Sequence, residues 1–179
     1  MATSAKTLAT LEFDKILARL ARHTSFSAGR ALALALLPST DYAEVVDRQR
    51  ITAEARRLLE MQPNLTLGGA HDVRPQAQKA ALAGVLEPSE LLDIQSTLSL
   101  SVSLRNTIHR LAIQGLPLLT TLAEGLADLS PLAAEISRSI NPRSEVTDAA
   151  SPMLSELRRE TRLAHDRLTT RLQRILSSQ

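Results

Sequence analysis

The sequence predicts an all-α fold, a multi-helix orthogonal or bundle core that ends in the start of a long coiled-coil helix. Leucine and alanine supply most of the 44% hydrophobic content, and both residues favour helix over strand. The only aromatic side chains are Phe13, Phe26 and Tyr42. Apolar residues recur at spacings of three and four, and no run alternates in the way of a half-buried strand. The length of 179 residues suits one large or two small domains.

The first two predicted helices lie before Pro38. The first extends from about Thr7 to Thr24, and its apolar residues follow helical spacing: Leu8, Leu11, Phe13, Ile16, Leu17 and Leu20. Ser25 or Ser27 is predicted to cap the second helix, because a hydroxyl there can accept the free N–H groups of the first turn. That helix stops before Pro38, since proline disfavours the helical conformation of the preceding residue.

The third predicted helix begins after Asp41 or Ser39 and ends before Pro63. Its apolar residues face away from a charged side: Val45, Ile51, Ala55, Leu58 and Leu59. A short helix over residues 76–83 follows, and Gly84 is predicted to close it.

A long helix over residues 87–114 is expected to be central. Pro88 fits its first turn, where a missing N–H costs little, and Gly115 ends it. Its apolar residues are spread around most of its circumference, which predicts burial on several sides: Leu91, Ile94, Leu98, Val102, Leu104, Ile108 and Leu111.

Short helices are predicted to begin at Pro117 and at Ser130, followed by a loop with an extended piece at residues 145–147. Asp148 or Ser151 caps the last helix. Its apolar residues form a narrow seam of coiled-coil type, here called the apolar seam: Leu154, Leu157, Thr161, Ala164, Leu168, Leu172 and Ile175, with Arg171 as an alternative to Leu172. Because neither glycine nor proline stops this pattern, we expect the helix to continue beyond these residues.

Several kinds of catalytic and metal site are excluded by composition and spacing. The absence of cysteine excludes disulfides and thiolate metal sites. No histidine lies in a recognised metal-binding pattern: the four are His23, His71, His109 and His165. The phosphate-binding pattern GxxxxGK[ST] and the nucleophile pattern GxSxG do not occur. We therefore expect no catalytic, cofactor or metal residue in this sequence.

The sequence also predicts a cytoplasmic protein without a membrane partner. The first residues lack the apolar core of a secretion signal. The longest unbroken apolar run, residues 31–37, is too short to span a membrane.

The stretch "GGAHDVRP", residues 68–75, is predicted to be a helix-to-helix junction. Gly68 and Gly69 would supply positive φ for a tight reversal, and Asp72 would accept N–H groups at the next helix start. Pro75 would lie in the first turn of that helix. Arg74 would be free to pair with a carboxylate here or on a neighbouring domain. The alternative makes His71 and Asp72 a catalytic or metal-binding pair, although no third partner is evident.

The last helix holds six arginines, and the candidate nucleic-acid contacts among them are Arg158, Arg159 and Arg162. Arginine neutralises backbone phosphates, so an arginine-rich helix can lie along a nucleic acid. Three acidic residues interrupt the helix, and alternating charge is also typical of a solvated coiled coil: they are Glu156, Glu160 and Asp166. Both readings stay open from sequence alone.

Four stretches in this order resemble one family: "TLATLEFDKILARLARHTSFSAGR", "GGAHDVRP", "GVLEPSELLDI" and "SEVTDAASPMLSELRRETR". They are similar to the N-terminal part of the Smr-bearing bacterial MutS branch, the second MutS type. The resemblance extends from about Thr7 along nearly the whole chain, and the motifs are specific as an ordered set.

The resemblance implies a helical MutS-type core domain over residues 1–147 and the first part of a lever or clamp helix over residues 148–179. It implies a homodimeric parent protein with an ATPase domain, which would bind ATP and Mg²⁺, and a Smr-type endonuclease domain, both outside this sequence. The parent would bind branched DNA to suppress recombination, split collided ribosomes, or do both. The chain itself would not be an enzyme.

One loop departs from the family pattern. The family usually reads Ile-Asp, two residues, then Gly-Glu-Val, whereas this chain reads "INPRSEV" over residues 140–146. Pro142 and Ser144 are expected to stiffen this loop, and a role of an acidic residue does not carry over to Asn141.

Two other classes of function are compatible with the residues. A stand-alone helical adaptor would bind a partner helix through the apolar seam, residues 154–175. A small independent enzyme would use His71 and Asp72.

Overall fold

The computed structural model describes residues 4–177, and this part of the chain is all-α, as predicted. It contains nine α-helices: α1 Ala5–Thr10, α2 Phe13–Ala21, α3 Ser27–Leu34, α4 Tyr42–Met61, α5 Arg74–Ala81, α6 Pro88–Leu111, α7 Pro117–Glu124, α8 Ser130–Ser139 and α9 Pro152–Leu176. Two 3₁₀ turns, Ala112–Gln114 and Asp148–Ala150, extend α6 and precede α9. Within the same range, β pairing is limited to one antiparallel bridge between Ile140 and Val146. Val146 lies inside the predicted extended piece, and Ile140 lies before it.

The prediction of one continuous helix from Thr7 to Thr24 is wrong, because Glu12 divides it. Glu12 adopts a left-handed conformation with φ 50°, which an L residue rarely adopts and which interrupts the helical ladder. Ser4 caps α1 instead, accepting the Thr7 N–H at 3.1 Å. After the break, α2 packs on α3.

The predicted caps are confirmed at α4 and α9 and are wrong at α3. Asp41 accepts the Ala43 N–H at 2.8 Å at the start of α4, and Ser151 accepts the Leu154 N–H at 3.2 Å at the start of α9. Residue Phe26 precedes α3 without a side-chain cap, so neither Ser25 nor Ser27 has the predicted role.

The end of α5 differs in detail from the glycine stop predicted at Gly84. The left-handed residue there is Ala83, with φ 59°. The Gly84 N–H then donates to the Lys79 carbonyl at 2.8 Å. This bond satisfies one of the free carbonyls that every helix C-terminus leaves.

Helix α6 is central, as its apolar distribution predicts. It packs against both α7 and α8, and α4 packs against α7. The resulting core is buried at one end of α6: its members are Leu58, Ile108, Leu111, Leu116 and Ala123. Burial on several sides is therefore confirmed only near Ile108 and Leu111, because the rest of α6 is partly exposed.

The chain exposes far more surface than a compact protein of its mass. Its solvent-accessible area is 13409 Å² for 19.4 kDa, whereas a compact monomer of that mass exposes about 8,500 Å². Many large apolar side chains are exposed, among them Leu32 on α3 and Leu168 on α9. Within residues 4–177, no other part of the chain packs over these apolar side chains.

Candidate nucleic-acid interface

The start of α9 is attached to the end of α8 by a short extended connection. The Thr147 N–H donates to the Ser139 carbonyl at 2.8 Å, and the Thr147 hydroxyl donates to the Arg138 carbonyl at 2.7 Å. The Arg138 guanidinium also donates to the Ala149 carbonyl. Together with the bridge between Ile140 and Val146, these bonds fix where α9 begins.

Asp148 binds two of the three arginines that the sequence selects as nucleic-acid contacts. The Arg158 guanidinium donates to Asp148 at 2.7 Å, and Arg162 lies 3.5 Å from its second carboxylate oxygen. The hydrogen bond from Arg158 lowers the pKa of Asp148 against the opposing effect of desolvation, and the charges of Arg158 and Arg162 lower it further. The first turns of α9 therefore carry an internal ion pair where a phosphate contact was predicted.

Arg159, the third predicted contact, is exposed on a different side of the helix. It lies three residues after Glu156, a spacing at which side chains on one helix face are neighbours. The structure thus separates the three predicted arginines: Arg158 and Arg162 meet at Asp148, and Arg159 does not join them.

Three more distal arginines form a set that sequence reasoning did not single out. Arg167, Arg171 and Arg174 are all exposed and are spaced four and three residues apart, so they lie on one face of α9. We call them the distal arginine stripe. Among residues 4–177 no carboxylate forms an ion pair with any of them. The spacing is visible in the sequence, but the pairing of Arg158 and Arg162 with Asp148 is not.

The apolar seam of α9 lies open to solvent beyond its first two turns. Leu154 is partly buried near the root of the helix, while every residue from 159 to 177 is exposed. Leu168, Leu172 and Ile175 are 62%, 60% and 64% exposed. A seam of this spacing is suited to pairing with another helix.

The junction at residues 68–75 connects α4 to α5 and docks on α6. The Ser96 hydroxyl donates to the Gly69 carbonyl at 2.7 Å, and the Thr97 hydroxyl accepts the His71 N–H at 2.9 Å. Gly69 has the predicted positive φ, at 92°. Gly68 does not have it, which corrects the prediction that both glycines reverse the chain with positive φ.

Asp72 and Arg74 satisfy each other within the junction. Asp72 accepts the Arg74 N–H at 3.3 Å, as predicted for a helix start, and it also accepts the Arg74 Nε at 2.7 Å. The side-chain hydrogen bond lowers the pKa of Asp72 and raises that of Arg74. Pro75 lies in the first turn of α5, as predicted. Arg74 is therefore paired inside the junction, and a contact with a neighbouring domain stays a prediction.

The alternative pair of His71 and Asp72 is not assembled by the structure. The His71 ring lies 3.6 Å from Asp93 on α6, while Asp72 faces Arg74. No group of three possible metal-binding side chains occurs among the described residues. In the same residues, no helix has the length and apolar character to cross a membrane.

The loop that departs from the family pattern is a tight turn organised by Asn141. The Asn141 side-chain oxygen accepts the N–H groups of Arg143 at 2.9 Å and Glu145 at 3.0 Å. Ser144 has a positive φ of 61°, at the position where the family pattern has glycine. An aspartate oxygen could accept the same two N–H groups, so an acidic residue here would have a structural role.

Comparison with known proteins identifies the class to which these features belong. Over 167 residues the chain is 43% identical to endonuclease MutS2 of Symbiobacterium thermophilum, matching 93% of this chain and 21% of the relative. Identity to endonuclease MutS2 of Thermomicrobium roseum is 37% over 172 residues, 95% of this chain and 22% of the relative. Identity to endonuclease MutS2 of Geobacillus sp. is 38% over 176 residues, 97% of this chain and 22% of the relative. No protein-family model matches the chain.

These similarities confirm the resemblance that the ordered motifs indicate. Along nearly its whole length the chain is similar to proteins named endonuclease MutS2. It spans about a fifth of the length of the curated relatives it matches.

Proposed function

We propose that this chain is a non-catalytic helical core with the first part of a lever helix, within a cytoplasmic, dimeric MutS-like ATPase and endonuclease. The core would cover residues 1–147 and the lever residues 148–179, of which residues 1–3 and 178–179 lie outside the described part. The main observation that supports this proposal is that the start of α9 is held against the end of α8, while the apolar seam is exposed along the rest of the helix.

The chemistry would belong to other parts of such a protein. The relatives are named endonucleases, and this chain matches about a fifth of their length. ATP and Mg²⁺ would bind an ATPase domain outside these residues, and a nuclease domain would cut the substrate. The substrates would be branched DNA, whose binding suppresses recombination, or a stalled ribosome, which the protein splits.

The proposed role of the chain is mechanical. A continuous helix transmits displacement along its axis better than a loop, because each residue is held by backbone hydrogen bonds. The bonds from Arg138 and Thr147 hold the connection before α9 against α8, and the ion pair of Asp148 with Arg158 holds the first turns of α9 against that connection. Movement of the core caused by nucleotide would therefore move the far end of α9.

The proposal is tested by a proline in the middle of α9 of the full-length protein. Ala164 is exposed, so Ala164→Pro breaks the helix at a cost of about 3 kcal/mol without touching the core around Leu116. We expect ATP-dependent release of a four-way DNA junction, or ATP-dependent splitting of ribosomes, to fall at least tenfold while ATP hydrolysis persists. Ala164→Ser, which keeps the helix and nearly the size of the seam residue, is the matched control and should behave as the unmodified protein.

Unchanged ATP-dependent release in Ala164→Pro, with the helix break verified by circular dichroism, would contradict the lever. Running the DNA and ribosome assays in parallel identifies which substrate the parent handles.

A stand-alone adaptor is the second candidate, and the uncovered seam of α9 is the observation that favours it. Such an adaptor would become more helical with rising concentration of a partner helix and would ignore nucleic acid. Leu168→Glu would abolish that association, whereas Thr169→Glu, on a neighbouring face, would leave it intact.

A further inference from the structure

We propose that the distal arginine stripe of α9, Arg167, Arg171 and Arg174, is the part of this chain that contacts a nucleic-acid phosphodiester backbone. The inference rests on the proposed function, since it assumes that the parent protein handles nucleic acid. It relocates the contact from the arginines near the root of α9 to those farther along the helix.

The stripe has no compensating negative charge on its own helix. No acidic residue lies three or four positions from any of the three arginines, on either side. Like charges at a spacing of four destabilise a helix by a few tenths of a kcal/mol per pair. A helix that keeps Arg167 and Arg171 at this spacing is stabilised when an external anion lies along that face.

The length of the stripe is comparable to a few base-pair steps of duplex DNA. At about 1.5 Å of rise per residue, the three positions span roughly 10 Å along the helix axis. Each strand of duplex DNA presents one phosphate per about 3.4 Å of the duplex axis, so the length of the stripe corresponds to about three base-pair steps. The guanidinium group also binds phosphate oxygens through two parallel hydrogen bonds.

The arginines near the start of α9, in contrast, already bind a carboxylate. Arg158 and Arg162 lie roughly on the opposite side of α9 from the stripe, where both meet Asp148. A phosphate would have to displace that carboxylate to bind them. The stripe faces solvent with no such competitor among residues 4–177.

Phosphates can still reach the stripe when a partner helix covers the apolar seam. The stripe borders the apolar seam and does not lie within it, since Leu168 and Leu172 follow Arg167 and Arg171 by one residue. A partner helix on the seam would leave most of the stripe's guanidinium groups reachable from the side. Helix pairing and phosphate contact are therefore compatible on the same helix.

The test compares two triple variants of the full-length protein that remove the same charge from the same helix. In one, Arg167, Arg171 and Arg174 are changed to Gln; in the matched control, Arg158, Arg159 and Arg162 are changed to Gln. Binding is measured at several salt concentrations to a four-way DNA junction, a DNA duplex and a ribosomal RNA hairpin. Circular dichroism verifies that α9 remains helical, which glutamine favours.

We expect the stripe variant to lose affinity and salt dependence, and the control to change much less. Removing three phosphate contacts lowers the slope of log affinity against log salt by about 2.7 for duplex DNA. The ratio of the affinity of the unmodified protein to that of the stripe variant therefore falls roughly 40-fold between 50 and 200 mM salt. A loss confined to the DNA probes or to the RNA hairpin identifies which backbone is bound.

The failing outcomes are distinguishable. If the unmodified protein binds neither these probes nor a ribosome, both the proposed function and the stripe are wrong. If it binds them and the stripe variant keeps the same affinity and salt slope, the stripe is wrong and the proposed function stands. A larger loss in the control than in the stripe variant would return the contact to Arg158, Arg159 and Arg162.

Discussion

The region around Leu116 and the far half of α9 are both rich in leucine at helical spacing, yet they end in opposite environments. Leu116 is 0% exposed and lies among α4, α6 and α7, whereas Leu168 is 62% exposed on α9. The two regions differ in whether other helices of the chain cover their apolar residues. Side chains of α4 and α7 join Ile108 and Leu111 of α6 in one buried cluster, whereas within residues 4–177 every residue of α9 after Arg158 is exposed. Helical periodicity therefore identifies a face that must be covered, without identifying the cover.

The largest expected effect tests this difference directly. Leu116→Ala should lower the free energy of unfolding by about 2–5 kcal/mol, because it removes buried methyl groups and leaves a cavity. Leu168→Ala, the same substitution on α9, should change it by no more than about 0.5 kcal/mol. Urea unfolding followed by circular dichroism measures both. Equal losses in the two variants would mean that the seam of α9 is packed in solution and that the contrast is false.

The next effect comes from a carboxylate that joins α4 to α7. Glu54 is buried and accepts the Leu119 N–H at 2.9 Å, in the first turn of α7. Glu54→Ala leaves that N–H without its acceptor, so we expect a loss of about 1–2 kcal/mol in unfolding free energy.

Two companion variants sharpen the interpretation of Glu54. Glu54→Gln keeps an oxygen acceptor and should lose less than Glu54→Ala. Glu60→Ala changes an exposed residue of the same helix and should be nearly neutral. A loss in Glu60→Ala as large as in Glu54→Ala would show that the effect arises from α4 itself and not from its contact with α7.

The sequence was sufficient for the elements and insufficient for most of the side-chain pairing. Periodicity and proline positions predicted the central helix and α9, because those signals are local. The break at Glu12 was missed, since no glycine or proline marks it. Pairing of Asp148 with Arg158 was missed because the two residues lie ten positions apart and meet through a turn before α9. Asp72 and Arg74, two positions apart, were foreseeable.

A smaller effect is expected in the loop that connects the packed region to α9. Ser144 has a φ of 61°, a conformation that glycine adopts without steric cost. Ser144→Gly should therefore raise the free energy of unfolding by about 0.5–1 kcal/mol, reduced somewhat by the greater freedom of glycine in the unfolded chain. Ser139→Gly, at the end of α8, is the control and should destabilise. Destabilisation by Ser144→Gly would show that the turn adopts another conformation in solution.

The smallest effect concerns pH at the root of α9. The hydrogen bond from Arg158 holds the pKa of Asp148 below its ordinary value of 3.8. Because the folded pKa is lowered, the stabilisation from this pair is complete above the unfolded value and is lost as pH falls through the folded value. Asp148→Asn should therefore flatten the acid limb of the stability curve below about pH 4 and leave the slope at neutral pH unchanged.

Asp148→Asn also compares the arginines at the start of α9 with the distal arginine stripe in a nucleic-acid binding measurement. If Asp148 also keeps Arg158 and Arg162 from phosphates, Asp148→Asn should strengthen nucleic-acid binding only modestly, because the distal arginine stripe makes the main contact. A carboxyl resonance of Asp148 that titrates at the ordinary value would show that the ion pair does not persist in solution. In that event Arg158 and Arg162 are as available as the stripe, and the two arginine sets would no longer differ.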